Sequence, residues 1–266
     1  MSALPDYQIV GRPDGIPLIF LHGFMGSSQD WLNVTKQLES ELFCILIDLP
    51  GHGCNRRLLH YGWQETARAI SAVMDVLNLR QAGIMGYSMG GRIALYTVLH
   101  NQYRFSFLII ESATPGLREE DDRETRRLWE DNIVQQLRTT PYDTFLAQWY
   151  AQPLFAGLSN HPEFPQLLAR RLNNDPLALA TAFQNLATST QPDLWPLLEK
   201  LNIPLLLLAG EKDTKYQQIL RRFQLSVPQA SWQILNGCGH HIHFEQPERF
   251  TTIVRSFIHS VSMPAA

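Results

Sequence analysis

Cysteine is scarce in this chain. The three present, Cys44, Cys54 and Cys238 in 266 residues, are odd in number and lack the paired spacing of a disulfide framework or a zinc site, which points to a reducing compartment. Long apolar runs are missing as well: nowhere do about 18 apolar residues follow one another, so no membrane-spanning helix is expected. The segment 1–10 contains Pro5 and Asp6 and no basic-then-apolar run, so neither a signal peptide nor an anchor is expected there, and a cytoplasmic location follows. Excess positive charge is also absent. With 22 Lys and Arg against 25 Asp and Glu the net charge is -3, which gives no sequence-wide basic field, so neither nucleic acid nor a membrane surface is an expected partner. Any anion recognition has to be local. The chain lacks a phosphate-binding glycine loop and a convincing metal-ligand set, so no cofactor and no metal are expected.

What remains is the composition of a globular domain, 45% hydrophobic and 18% charged. Short apolar runs bounded by Gly, Pro or Asp recur at 18–21, 43–49, 82–85, 107–110, 205–209 and 232–235, and these read as buried parallel strands. Segments of helical period lie between several of them: Thr66, Ile70, Val73, Met74 and Leu77 share one face, as do Ile93, Ala94, Thr97 and Val98. Strand alternating with helix implies an α/β fold, a mostly parallel sheet flanked by helices, with the active site at the carboxyl ends of its strands. From 114 to 196 the pattern changes to helical stretches broken by prolines. This predicts an all-helical insertion that covers the functional edge as a cap, with the core formed by 1–113 and 197–266.

The strongest chemical signal is Gly86-Tyr87-Ser88-Met89-Gly90, set between the run 82–85 and a helical segment. A sharp turn from strand to helix strains the backbone at the serine, and glycines two before and two after remove side chains that would clash. The turn also presents the hydroxyl at a helix start, where unpaired amides favour developing negative charge. A serine needs a positioned imidazole and a group to orient it. Asp213 follows the strand 205–209, and His240 follows the strand 232–235, which gives the order Ser88, Asp213, His240 of a catalytic triad. His240, His241 and His243 beside Cys238 admit a metal cluster as the competing reading, disfavoured by the absence of separated ligand pairs. His241 and His243 then read as histidines of a loop surface or helix start. His22-Gly23-Phe24 follows the first strong strand, and the Phe24 and Met89 amides are the candidate oxyanion donors. His22 and the segment 48–53 read as architecture.

Together these residues resemble the α/β-hydrolase superfamily, over the core on both sides of the insertion. More narrowly the chain is similar to the MenH family, the 2-succinyl-6-hydroxy-2,4-cyclohexadiene-1-carboxylate synthases of menaquinone or phylloquinone biosynthesis. That resemblance rests on Tyr87-Ser88-Met89-Gly90-Gly91-Arg92, Pro115-Gly116-Leu117, Trp149-Tyr150-Ala151-Gln152-Pro153, Arg171-Leu172-Asn173-Asn174, Gln191-Pro192-Asp193-Leu194 and Gly210-Glu211-Lys212-Asp213-Thr214-Lys215. It implies a lyase that eliminates pyruvate from a small polycarboxylate substrate, with Arg92, Arg126 and Arg171 as carboxylate binders and Tyr87 and Trp149 as pocket residues. Read from the residues alone, Arg92 suits either an anionic ligand or a protein carboxylate. Glu119 with Arg123, Asp122 with Arg126 and Arg127 with Asp131 have the i,i+4 spacing of a self-paired helix face. Two further readings stay open: a serine hydrolase of esters or carbon–carbon bonds using the same triad, and a ligand-binding protein that has lost catalysis.

Overall fold

A computed structural model describes residues 4–55 and 61–262. Seven strands form one sheet: β1 (Tyr7–Gly11), β2 (Ile16–Leu21), β3 (Leu42–Ile47), β4 (Ala82–Tyr87), β5 (Phe105–Glu111), β6 (Leu205–Gly210) and β7 (Ser231–Leu235), in the order β1-β3-β2-β4-β5-β6-β7. All neighbours run parallel except β1, which pairs antiparallel with β3. The helices are α1 (Leu32–Leu38), α2 (Trp63–Val76), α3 (Met89–His100), α4 (Glu120–Thr139), α5 (Tyr142–Tyr150), α6 (Phe164–Leu172), α7 (Pro176–Asn185), α8 (Thr214–Ser226), α9 (Ile242–Glu245) and α10 (Pro247–Ser262).

Period-two alternation sorts the strand residues onto two cores. In β2, Leu18 and Phe20 join Trp31, Phe250 and Val254 on the face covered by α1 and α10, while Ile19 and Leu21 join Ile70, Ile93 and Phe223 on the face covered by α2, α3 and α8. Helices on both faces bury β4 completely and leave polar loops only at the sheet's ends. The sequence runs lie inside or beside six of the strands. β1 was not among them, and β7 differs from its expectation: at the sheet edge its residues Ser231, Trp232 and Gln233 are exposed, because only one side of the strand has a neighbour.

Between β5 and β6 the described residues form α4 to α7 and no strand. Their apolar faces build a third core from Ile133, Leu137, Phe145, Trp149, Leu167 and Phe183, which reaches into the sheet domain through Met25 and Phe244. Each such side chain contributes about 1.5–3 kcal/mol by leaving water. The described residues contain no helix long and apolar enough to cross a membrane.

Candidate active site

β4 ends at Tyr87 and α3 begins at Met89, so the whole change of direction falls on Ser88, which adopts φ 52 and ψ -109. A non-glycine residue takes this strained geometry only where its surroundings enforce it. Here the Ser88 amide donates to the Glu111 carbonyl at 2.9 Å, fixing the turn to the neighbouring strand. The flanking glycines are needed for space: a Cβ on Gly86 would overlap the Gly90 carbonyl group, and one on Gly90 would overlap the Leu21 and His22 carbonyls.

Asp213 caps α8 and accepts from the Tyr216 amide at 3.3 Å, which fixes its carboxylate beyond the end of β6. His240 donates from Nδ1 to Asp213 Oδ2 at 2.6 Å, and Ser88 Oγ lies 3.1 Å from His240 Nε2. Both His240 and Asp213 side chains are buried. With the Nδ1 proton held by Asp213, Nε2 presents a lone pair to the serine hydroxyl, the polarity a base requires. The Phe24 and Met89 amides have no acceptor among the described residues, as befits donors kept for a ligand oxygen. The loop carrying Phe24 is pinned from below. His22 accepts from the Leu49 amide at 2.9 Å and donates to the Gly23 carbonyl at 2.8 Å, and burial lowers its pKa so that it stays neutral. Asp48 accepts from the amides of Ser28 at 2.7 Å and Cys54 at 2.8 Å.

A cavity of about 810 Å³ opens over Ser88 and His240, roofed by α4 to α7, and Tyr87, Arg92, Arg126, Trp149 and Arg171 all line it. Its charged lining is Arg92, Arg126, Arg171, Lys212 and Lys215 against Asp122 and Asp213, which makes the site cationic. The three arginines differ in how far the protein already neutralises them. Arg92 is buried and donates to two neutral acceptors, the Leu186 carbonyl at 2.9 Å and Gln191 Oε1 at 3.5 Å; no carboxylate among the described residues pairs with it, and burial pushes its pKa down. Arg126 pairs with Glu130 at 2.8 Å rather than with Asp122, stacks over Trp129, and stays partly open to solvent. Glu130 is shared with the Thr188 and Ser189 amides.

The sequence profile of the alpha/beta hydrolase fold family matches residues 16–247. The 2-succinyl-6-hydroxy-2,4-cyclohexadiene-1-carboxylate synthase of Yersinia enterocolitica is 35% identical over 242 residues, 91% of this chain and 86% of that protein. MenH from S. aureus superposes with a TM-score of 0.91 at 30% identity, over 97% of this chain and 99% of that one. The chain belongs to the MenH family of α/β hydrolases. The chloroplastic protein PHYLLO of Arabidopsis thaliana is also 30% identical over 270 residues, a match that takes in 95% of this chain and 16% of PHYLLO.

Arg171 of this MenH-family chain has a strong internal partner that sequence reasoning missed. Its guanidinium holds both oxygens of buried Asp30, at 2.9 and 2.7 Å, and its Nε donates to Tyr150 at 3.1 Å. Asp30 is 141 residues away in sequence, and no local spacing announces the pair. Burial works against the charge on Asp30, but Arg171 and then Arg170 outweigh it and hold the carboxyl below its usual range. A depressed carboxyl stabilises the fold fully above its unfolded pKa, about 3.9, and that contribution is lost as pH falls through the folded value. Asp30→Ala is therefore expected to cost about 3–5 kcal/mol near neutral pH, by stranding a buried cation. The gap in urea midpoint between variant and parent should shrink below about pH 4. A constant gap would show that the carboxylate charge is not what matters.

The histidines after His240 also differ from expectation. His241 and His243 are not surface groups: both are buried, His243 against Glu111 and Trp31, and His241 against Tyr87. Lys215 lines the cavity without a carboxylate partner among the described residues, and burial lowers its pKa. Its motif with Lys212 and Asp213 was visible in the sequence, but a lysine two residues after the acid carries no signal of which way it faces.

Proposed function

We propose that this protein eliminates pyruvate from 2-succinyl-5-enolpyruvyl-6-hydroxy-3-cyclohexene-1-carboxylate to give 2-succinyl-6-hydroxy-2,4-cyclohexadiene-1-carboxylate, in menaquinone or phylloquinone biosynthesis. The observation that carries the reading is Arg92: a buried guanidinium with no carboxylate partner among the described residues, in the cavity that holds Ser88 and His240. A buried charge without a counter-ion is costly, and a bound carboxylate supplies the missing partner in the planar geometry a guanidinium matches. An apolar acyl chain would leave that cost unrelieved.

The chemistry follows from where the charges sit. His240, oriented by Asp213, draws the proton from the Ser88 hydroxyl, and Ser88 Oγ takes the proton at C2, next to the succinyl ketone. The C–H pair moves towards the ketone oxygen, where the Phe24 and Met89 amides hold the negative charge. It then returns to form the C2–C3 double bond, the ring double bond shifts to C4–C5, and the C5–O bond breaks to release enolpyruvate, which takes the proton from His240 and ketonises. No water is consumed and no acyl-enzyme forms. Arg92, Arg126 and Arg171 are the carboxylate-facing cations, Tyr87 and Trp149 pack the ring, and segment 114–196 serves as the cap. Three unpaired cysteines suit a cytoplasmic site of action.

The test is incubation with freshly generated substrate, following pyruvate and diene absorbance together. One pyruvate per diene, well above the spontaneous rate, is the expected result. Pyruvate without diene, or turnover of simple esters alone, would make the protein a hydrolase that uses the same three residues.

A further inference from the structure

Next to the triad lies a second buried carboxylate–imidazole chain that the reaction above does not use. Glu111, at the end of β5, accepts from the His243 amide at 3.1 Å through Oε1 and from His243 Nδ1 at 2.6 Å through Oε2. His243 Nε2 lies 3.2 Å from His241 Nε2. The chain is sealed on its sides, with Trp31 stacked on His243 at 4.0 Å and Tyr87 stacked on His241 at 4.6 Å and an interplanar angle of 2°. His241 Nδ1 has no partner among the described residues, yet it is not one of the buried polar atoms cut off from the surface, and His241 lines the catalytic cavity. The chain therefore ends at the substrate site.

Its polarity can be counted proton by proton. Glu111 requires the His243 proton on Nδ1, which in the neutral imidazole leaves a lone pair on Nε2. That lone pair accepts the Nε2–H of His241, which leaves the His241 lone pair on Nδ1. Burial above all, with the Arg171 charge adding to it, lowers the His241 pKa and keeps that ring neutral. We propose that His241 is a specificity residue of the cavity, whose Nδ1 accepts a hydrogen bond from a substrate hydroxyl, and that Glu111 sets this polarity through His243. This rests on the proposed function, whose substrate carries one ring hydroxyl, at C6. An acceptor there gives that hydroxyl no help as a leaving group, which suits a product that retains it.

Glu111→Gln tests the chain without removing a ring. The His243 amide cannot change its role, so it holds the glutamine carbonyl and places the amide NH₂ opposite Nδ1. The His243 proton must then move to Nε2, and His241 Nδ1 changes from acceptor to donor. With ¹⁵N-histidine in the full-length protein, the His241 Nδ1 resonance is expected to be that of an unprotonated nitrogen in the parent and a protonated one in Glu111→Gln. Two dicarboxylates then report on the cavity: the hydroxylated diene product and 2-succinylbenzoate, which lacks the hydroxyl. The preference of the parent for the first is expected to fall about three- to tenfold in Glu111→Gln, the worth of one neutral hydrogen bond. His241→Phe, which keeps the ring stacked on Tyr87, should lower it equally. A protonated Nδ1 in the parent, or an unchanged preference in both variants, overturns the proposal. If the parent neither binds these ligands nor turns over the substrate, the proposed function fails, and the tautomer measurement decides the polarity by itself. Where Glu111→Gln does not fold, the parent tautomer and His241→Phe decide.

Discussion

Ser88→Ala is expected to lower kcat by about four to six orders of magnitude while leaving ligand binding nearly intact. The reason is positional. Ser88 Oγ lies 3.1 Å from His240 Nε2, and in the proposed reaction it is the oxygen that accepts the substrate proton, so its removal takes that acceptor away. The cavity loses a single small oxygen and its cations remain, so a dicarboxylate should bind with a dissociation constant within a few-fold of the parent's. The strain at Ser88, φ 52, persists with alanine, so no gain in stability is expected to confuse the result. Single-turnover rates and product titration measure both quantities. A loss of under about tenfold in kcat would mean that His240 or water abstracts the proton without the serine.

The second large effect is expected at Arg92. Arg92→Met keeps the length and apolar stem while deleting the charge, and should reduce kcat/KM by about two to three orders of magnitude, mainly through KM. A carboxylate bound there loses its charge-assisted partner in a desolvated setting. Stability responds differently. Because Arg92 is buried with two neutral acceptors and no carboxylate among the described residues, its removal ends an uncompensated charge and leaves two acceptors unpaired, and the melting temperature should stay within a few degrees. Arg171→Met is the contrast: it strands Asp30 and should destabilise the fold strongly. Steady-state kinetics beside thermal melts separate the two arginines. Equal destabilisation would mean that both serve the fold first.

These two arginines also mark how far the sequence can be read. Ser88, Asp213 and His240 could be placed together because each follows an apolar run that reads as a strand, although β7 proves to be a largely exposed edge strand, and the parallel sheet brings the ends of β4, β6 and β7 to one edge. The strained turn announces itself through Gly86 and Gly90, whose missing side chains have a local steric cause. β1 was illegible because Tyr7–Gly11 is a half-exposed edge strand, so its residues show no continuous apolar run. The partner of Arg171 was hidden for a different reason. Asp30 and Arg171 meet only when α6 docks on the sheet domain, and nothing in either local sequence fixes that docking. The i,i+4 rule likewise offered Asp122 for Arg126, whereas the helix turns Arg126 towards Glu130, which the Ser189 hydroxyl and two amides already hold in place. His241 and His243 were misplaced because three histidines in four residues look like a polar loop, and only the position of Glu111 at the end of β5 shows why they are inside.

In the proposed reaction a hydrolase fold, with its serine intact, runs an elimination. Intact mass measurement of the protein quenched during turnover, with pyruvate assayed in the same samples, tests it most directly. Pyruvate and diene rising in step while the protein keeps its unmodified mass is the predicted result. A substrate fragment attached at Ser88, formed and consumed at the rate of turnover, would contradict it and make the serine a nucleophile.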